Sequence, residues 1–271
     1  MSSRGPQDLS AVARTFRRWI VEQSLASNVG HIGSALCVVE IVVALWGRVL
    51  REPGSARADR DRFLLGKGHA ALALYCALRW RGLLDEAAFA TYCGDGSLLG
   101  VHPEAALPGV DASTGSLGQA LSVGCGLAYG LRAQESPGRV CVLLSDAECN
   151  EGQAWEAAMF AGHHRLANLT AVIDYNGSQA LGRTADVIDL DPLAARWRDF
   201  GWHAVEVDGH DLTALIEALS CDTAGRPRAV VARTVMGKGV SFMEGQVDWH
   251  YRNLTPTLAR QALDEIEGAR P

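Results

Sequence analysis

The sequence predicts an α/β fold, a parallel sheet with helices on both faces, and three observations carry that prediction. Short apolar runs occur at Val140-Cys141-Val142-Leu143-Leu144 and Leu169-Thr170-Ala171-Val172-Ile173, with a helix-length segment, Gln153 to Leu166, between them. Apolar runs of this length joined through a helix read as βαβ units with strands buried on both faces. Two further runs, Ala204-Val205-Glu206-Val207 and Ala229-Val230-Val231-Ala232, continue the alternation. The chain's 271 residues, 48% apolar and 21% charged, suffice for one domain over residues 1–271 with a substantial core.

The remaining elements follow in order. Leu9, Val12, Phe16, Trp19 and Ile20 recur at helical spacing and predict a helix over residues 9–27. Ser27 to Gly33 is a Gly-rich turn, followed by an apolar helix from Ser34 to about Leu50. Residues 51–60 form a polar Pro/Gly loop. Arg62-Phe63-Leu64-Leu65 is a short strand closed by Gly66-Lys67-Gly68-His69, and residues 70–81 are helical. From Cys93 to Thr114 the chain is rich in Gly and Pro; a long loop inside a compact domain is usually functional. The next helix, to about Arg132, carries Gly118, Ala120, Gly124, Gly126, Ala128 and Gly130, which weaken helicity and suit close approach of another backbone, in the core or at a subunit interface. A final helix begins near Leu254 and frays toward Pro271.

Composition excludes several functions. The formal net charge is −6, and Arg57, Arg60, Arg62 and Arg79 are scattered, which disfavours a nucleic-acid surface. No run of membrane-spanning length occurs, and the first nine residues lack the apolar core of a secretory signal. Asp8 and Glu22 beside Arg14, Arg17 and Arg18 argue for a surface helix rather than a transit peptide. Seven cysteines without a C-x-x-C pair indicate neither a disulfide framework nor a zinc site and fit a reducing cytoplasm; Cys149 is read as packing rather than catalytic.

The chemistry-bearing residues follow the strands. Asp146 comes just after the first run and Asn176 just after the second. Parallel crossovers bring the carboxyl ends of strands to one edge, where ligands bind. Two hard oxygen ligands in one crevice suggest a site for a hard cation and a diphosphate. His31, His69 and His102 each lie in a Gly- or Pro-flanked loop, and His250 lies in Asp248-Trp249-His250-Tyr251. Imidazoles titrate near neutrality and suit proton transfer. His163, His164 and His203 are read as structural, and His210 is left open; Lys238, between two glycines, meets either phosphate or solvent.

Taken together, the ordered motifs Gly30-His31-Ile32-Gly33, Asp61-Arg62-Phe63 with Gly68-His69, His102-Pro103-Glu104, Thr114-Gly115-Ser116-Leu117-Gly118-Gln119, Asp146 to Gly152 and Asp174 to Ser178 resemble the N-terminal half of transketolase. The resemblance covers nearly the whole chain and implies a thiamine diphosphate-binding fold. Its length resembles the N-terminal subunit of a split transketolase.

By that resemblance Asp146, Asn176 and the Ser178 carbonyl hold Mg2+ or Ca2+, while His69, Gly115, Ser116, Leu117, Asp146, Ala147, Glu148 and Asn176 bind the cofactor. His31, His102 and His250 line a substrate channel, His69 approaches the diphosphate and counts with them as catalytic, and Glu151, also in the catalytic set, links cofactor sites across a subunit interface. Ser145 and Ala147 stand where the family usually has glycines. The implied reaction moves a two-carbon ketol unit from a ketose phosphate to an aldehyde. The implied partner is a C-terminal subunit carrying the pyrimidine-binding domain, in an α2β2 assembly. Two alternatives stay open: thiamine diphosphate-dependent acyl or glycolyl transfer to a carrier thiol, and a non-catalytic assembly subunit. A dinucleotide-binding domain is weaker, because no G-x-G-x-x-G follows an early strand.

Overall fold

The computed structural model describes residues 8–268. Its sheet has five strands, with β1 (Arg62–Leu65), β2 (Val140–Ser145) and β3 (Leu169–Tyr175) side by side. A two-residue pair, β4 (Ser178–Gln179) and β5 (Gly182–Arg183), makes a separate antiparallel hairpin. β6 (His203–Asp208) is the far edge, and β7 (Arg228–Arg233) lies between it and β3. The order is β1-β2-β3-β7-β6, and every neighbouring pair is parallel.

The strand pleat sends alternate side chains to opposite faces. Cys141 and Leu143 join one apolar cluster, while Val140, Val142 and Leu144 join the other. On the first face lie α1 (Leu9–Ser27), α2 (Ile32–Cys37), α3 (Val39–Ala44), α4 (Ala71–Trp80) and the single turn α5 (Glu86–Phe89). The second face carries α6 (Gln119–Ala133) and α7 (Gly152–His163). The short α8 (Thr184–Val187) follows the hairpin. α9 (Leu193–Asp199) packs on the second face, and α10 (Leu212–Ser220) and α11 (Pro256–Glu267) on the first. Helices on both faces of a parallel sheet are the architecture the apolar runs predict.

Helix ends follow local chemistry. The Asp8 carboxylate accepts from Ser10 N–H at 2.9 Å, and Asn28 closes α1 with φ 53°. The Thr255 hydroxyl caps α11, which starts on Pro256 and ends on Gly268. The end of the chain expected to fray, 269–271, lies outside the described residues, as do residues 1–7.

Three features differ from expectation. The single helix expected from Ser34 to Leu50 starts at Ile32, breaks at Val38 and ends in a wide π turn, Leu45–Val49. This run is dense in β-branched residues, which lose side-chain freedom in a helix, and burial rather than propensity holds it. The β4–β5 hairpin and the helices α9 and α10 are not announced by the patterning. On α6, the small residues divide: a Cβ on Gly124 would meet Val142 Cγ2 at 2.5 Å, whereas Gly126 and Gly130 face open space. Gly124 therefore serves packing against the sheet.

Candidate functional site

The backbone ladder runs one step beyond the strands and positions the loop residues. Gly66 and Lys67 N–H donate to Leu143 O at 2.8 and 3.2 Å, Asp146 N–H to Asp174 O at 3.1 Å, and Thr234 N–H to Tyr175 O at 3.1 Å. The ends of β1, β2, β3 and β7 are thus stitched into one crevice.

Asp146 and Asn176 both stand at this edge, linked through Gly177, whose N–H donates to Asp146. Asp146 is fully buried; its carboxylate accepts from Ala147 N–H at 3.0 Å, Gly177 N–H at 3.1 Å and the Thr184 hydroxyl at 2.7 Å. Burial pushes its carboxyl up to about 6, and the Asp174 charge adds to the shift. The Asn176 side-chain nitrogen donates to Asp174 at 2.9 Å, and its oxygen accepts from Ser178 N–H at 2.9 Å. The amide is therefore oriented, nitrogen inward and oxygen toward the hairpin.

Asp174 and Lys67 are the residues that sequence reasoning missed. Both are buried, and Lys67 Nζ lies 2.5 Å from Asp174 Oδ2. Asp174 also accepts from the Thr234 hydroxyl and from the Cys37 thiol. The available signal was an acid inside an apolar strand, which must find a partner when buried. Glu148, a further buried acid at this edge, accepts from Ser145 N–H at 2.9 Å and Gly118 N–H at 3.2 Å. Burial raises its carboxyl to about 7.

Beside this crevice stand the histidines. His31 has φ 65°, the left-handed region that non-glycine residues rarely occupy outside functional or strained sites. Its N–H donates to His250 O at 3.1 Å. Ring centroids are 5.4 Å apart for His31 and His69, 5.3 Å for His31 and His250, and 4.9 Å for His69 and His250. His102 packs over two glycines: a Cβ on Gly68 or on Gly115 would meet His102 Cδ2 at 3.0 Å. The same Cβ on Gly68 would touch the Gly115 backbone at 3.0 Å, so the loops around Gly68 and Gly115 approach as only glycines allow. Gly115 also needs its φ of 147°.

Burial lowers the pKa of His31, of His69 strongly, and of His250 to about 4, with Lys67 among the charges acting on all three. They are neutral imidazoles near pH 7. His31 Nδ1, His69 Nε2, His250 Nδ1 and the Ser34 hydroxyl are buried without a hydrogen-bond partner. Buried polar atoms in folded proteins almost always have one, so these four mark where a polar ligand fits.

The other predicted residues lie close by. Leu117 is 39% exposed, and Ser116 accepts from the Gln119 amide at 3.1 Å. Glu151 is exposed and packs against Gly118, whose added Cβ would meet Glu151 Cβ at 2.6 Å. Neither Ser145 nor Ala147 has a positive φ, so replacing the usual glycines costs the backbone nothing. Lys238 pairs with Glu244 at 3.3 Å at the surface, and His210 Nδ1 lies within hydrogen-bond distance of the buried Glu40, at 3.0 Å. Burial drives the Cys149 thiol well above its ordinary range, which fits packing. All seven cysteines are free. No helix among the described residues is long and apolar enough to cross a membrane. No group of three or more His, Cys, Asp or Glu among them is arranged to hold a metal ion. A metal at Asp146 would draw on amide, carbonyl and ligand oxygens.

A parallel sheet with an Asp and an Asn at adjacent strand ends, beside a histidine cluster, is the arrangement of a ligand-binding α/β domain. Residues 9–262 match the family model of the transketolase thiamine diphosphate-binding domain. The chain is 36% identical over 267 residues to the 6-deoxy-6-sulfo-D-fructose transketolase subunit SqwG of Clostridium sp. (strain MSTE9), covering 96% of both. It is 35% identical to an apulose-4-phosphate transketolase subunit of Phocaeicola vulgatus, covering 92% of this chain and 90% of that one. Among solved structures, Pichia stipitis transketolase with sedoheptulose 7-phosphate superposes with a TM-score of 0.86 at 31% identity, over 94% of this chain and 40% of that one. Campylobacter jejuni transketolase gives 0.88 at 24% identity, over 96% and 42%. The chain thus spans about two fifths of those transketolases. It belongs to the transketolase family, as an N-terminal, thiamine diphosphate-dependent subunit of the transferase class.

Proposed function

We propose that this chain is one half of a ketol-transferring enzyme, completed by a C-terminal subunit with the pyrimidine-binding domain in an α2β2 assembly. The observation that carries the reading is the cluster of unpartnered, buried ring nitrogens on His31, His69 and His250 beside the Asp146–Asn176 crevice. The residues present fit thiamine diphosphate. His69 and the glycine approach at Gly68 and Gly115 suit the diphosphate, and Ser116, Leu117, Ala147 and Glu148 border it. Asp146, the Asn176 side-chain oxygen and the Ser178 carbonyl suit Mg2+ or Ca2+, both of which take hard oxygen ligands.

When bound, the cofactor supplies a carbon nucleophile and an electron sink. The chain's own contribution is to hold and move protons at the sugar. His31, His102 and His250 donate to or accept from ketose hydroxyls, and Glu151 joins the two cofactor sites across the subunit boundary. The Clostridium and Phocaeicola subunits act, by name, on a sulfonated ketose and on a ketose phosphate. A ketose with an anionic end is accordingly the proposed donor.

The test is to co-purify the chain with its C-terminal subunit, then titrate thiamine diphosphate and Mg2+ by calorimetry. Binding that needs the partner and disappears in Asp146→Ala is the expected result. A complex that binds no cofactor would overturn the reading in favour of an assembly subunit.

A further inference from the structure

Tyr251 stands at the histidine cluster, outside the crevice and its network of buried carboxylates. Its ring lies edge-on to His250, with centroids 4.8 Å apart, and to His31, at 5.8 Å. It is 60% exposed, and its hydroxyl makes no hydrogen bond among the described residues. A single exposed aromatic is ordinary; the mounting of this one is not. The segment that carries it is tied to the turn before α2 at three places. His31 N–H donates to His250 O at 3.1 Å, and the Asn253 amide donates to Asn28 O at 2.9 Å. Gly30 lies so close that an added Cβ would meet Tyr251 O at 2.5 Å. Next to it the Arg252 guanidinium lies 5.1 Å over the Trp249 ring and forms no ion pair with a carboxylate among the described residues.

We propose that Tyr251 is a specificity-determining wall of the sugar channel. Its ring packs against the C–H face of the ketose chain, and its hydroxyl hydrogen-bonds a sugar hydroxyl. This rests on the transketolase reading above and deepens it. An open-chain sugar presents C–H groups and hydroxyls together, and tyrosine matches both with an apolar face and a polar tip. The edge contacts of the Tyr251 ring with His250 and His31 restrain the side chain, so less rotamer entropy is lost on binding. Arg252 adds a positive charge for a substrate with an anionic end.

The experiment uses the assembled two-subunit complex and compares wild type with Tyr251→Phe and Tyr251→Ala. Calorimetry measures binding of a pentitol 5-phosphate, which lacks the carbonyl and cannot react. Steady-state kinetics with five- and seven-carbon ketose phosphates give KM and kcat. Tyr251→Ala is expected to weaken pentitol phosphate binding about tenfold, with the loss in KM rather than kcat, as removal of uniform substrate binding requires. The kcat/KM ratio between the two chain lengths shifts with it, Tyr251→Phe falls between, and thiamine diphosphate affinity is unchanged. Pentitol phosphate affinity equal to wild type in both variants overturns the proposal. So does a Tyr251→Ala chain that no longer assembles with its partner, which makes Tyr251 an interface residue. A wild-type complex that neither binds the pentitol phosphate nor transfers ketol units removes the functional reading itself, a result distinct from the other two.

Discussion

The two halves of the site solve the problem of buried polarity in opposite ways. In the strand-end crevice each carboxylate is matched to donors of the same chain: Asp174 to Lys67 and Thr234, Asp146 to Thr184 and Gly177, Glu148 to Ser145 and Gly118. In the histidine cluster three ring nitrogens and the Ser34 hydroxyl are buried with no partner. A satisfied network is rigid and makes a frame. Buried donors and acceptors without partners cost stability in the chain alone, a cost that a polar ligand offsets. The crevice thus satisfies its own buried charges, whereas the cluster leaves buried polar atoms that only a ligand can satisfy.

The sharpest way to break this contrast is in the frame. Lys67→Met leaves the Asp174 carboxylate buried with no counter-charge, and removing one partner of a buried pair costs about 3–5 kcal/mol. Chemical denaturation should show that loss, and Lys67→Met with Asp174→Leu should recover part of it. A double variant no more stable than the single one would mean that the pair is not coupled.

Next in size is the close approach of the two glycine loops. Gly68→Ala pushes a methyl group into the Gly115 backbone and His102. Backbone does not yield cheaply, and overpacking of this kind costs about 1–3 kcal/mol. A melting temperature equal to wild type would show that the loops can separate.

A smaller effect should appear with pH. The folded pKa of His250 is about 4, against about 6.5 for an unperturbed histidine. Between those values the unfolded chain binds more protons at this residue, so the His250 contribution to stability rises with pH through this window and is level above it, while the raised carboxyls of Asp146 and Glu148 act in the opposite direction. His31 and His69 act in the same direction as His250. Denaturation midpoints between about pH 4 and 6.5 should therefore have a less positive slope in His250→Gln than in wild type; an unchanged slope would remove His250 from the cluster's titration.

The smallest effect is expected at Glu151. Its side chain is exposed, and Glu151→Gln should alter stability by no more than about 0.5 kcal/mol. A larger loss would make it part of the frame.

Much of this organisation is legible in the chain. Buried parallel strands must be apolar on both faces, so β2, β3 and β7 stand out as uninterrupted runs. The residue that follows each run falls at the ligand edge whatever the details of packing, which is why Asp146 and Asn176 can be paired from their positions along the chain. Glycines beside His31, His69 and Ser116 mark turns for the same local reason. What patterning does not carry is long-range compensation. Lys67 reads as a loop lysine and Asp174 as a polar slip in a strand; only the parallel pairing of β1 with β2 and β2 with β3 brings them together. The distance from Tyr251 to His31 likewise depends on the chain returning, some two hundred residues later, to the turn before α2. Local sequence determined the strands, the turns and the ligand edge, because period and backbone freedom are properties of neighbours along the chain. Tertiary structure alone decided which buried charges neutralise each other and which imidazoles share a pocket, because both depend on contacts between segments far apart in sequence.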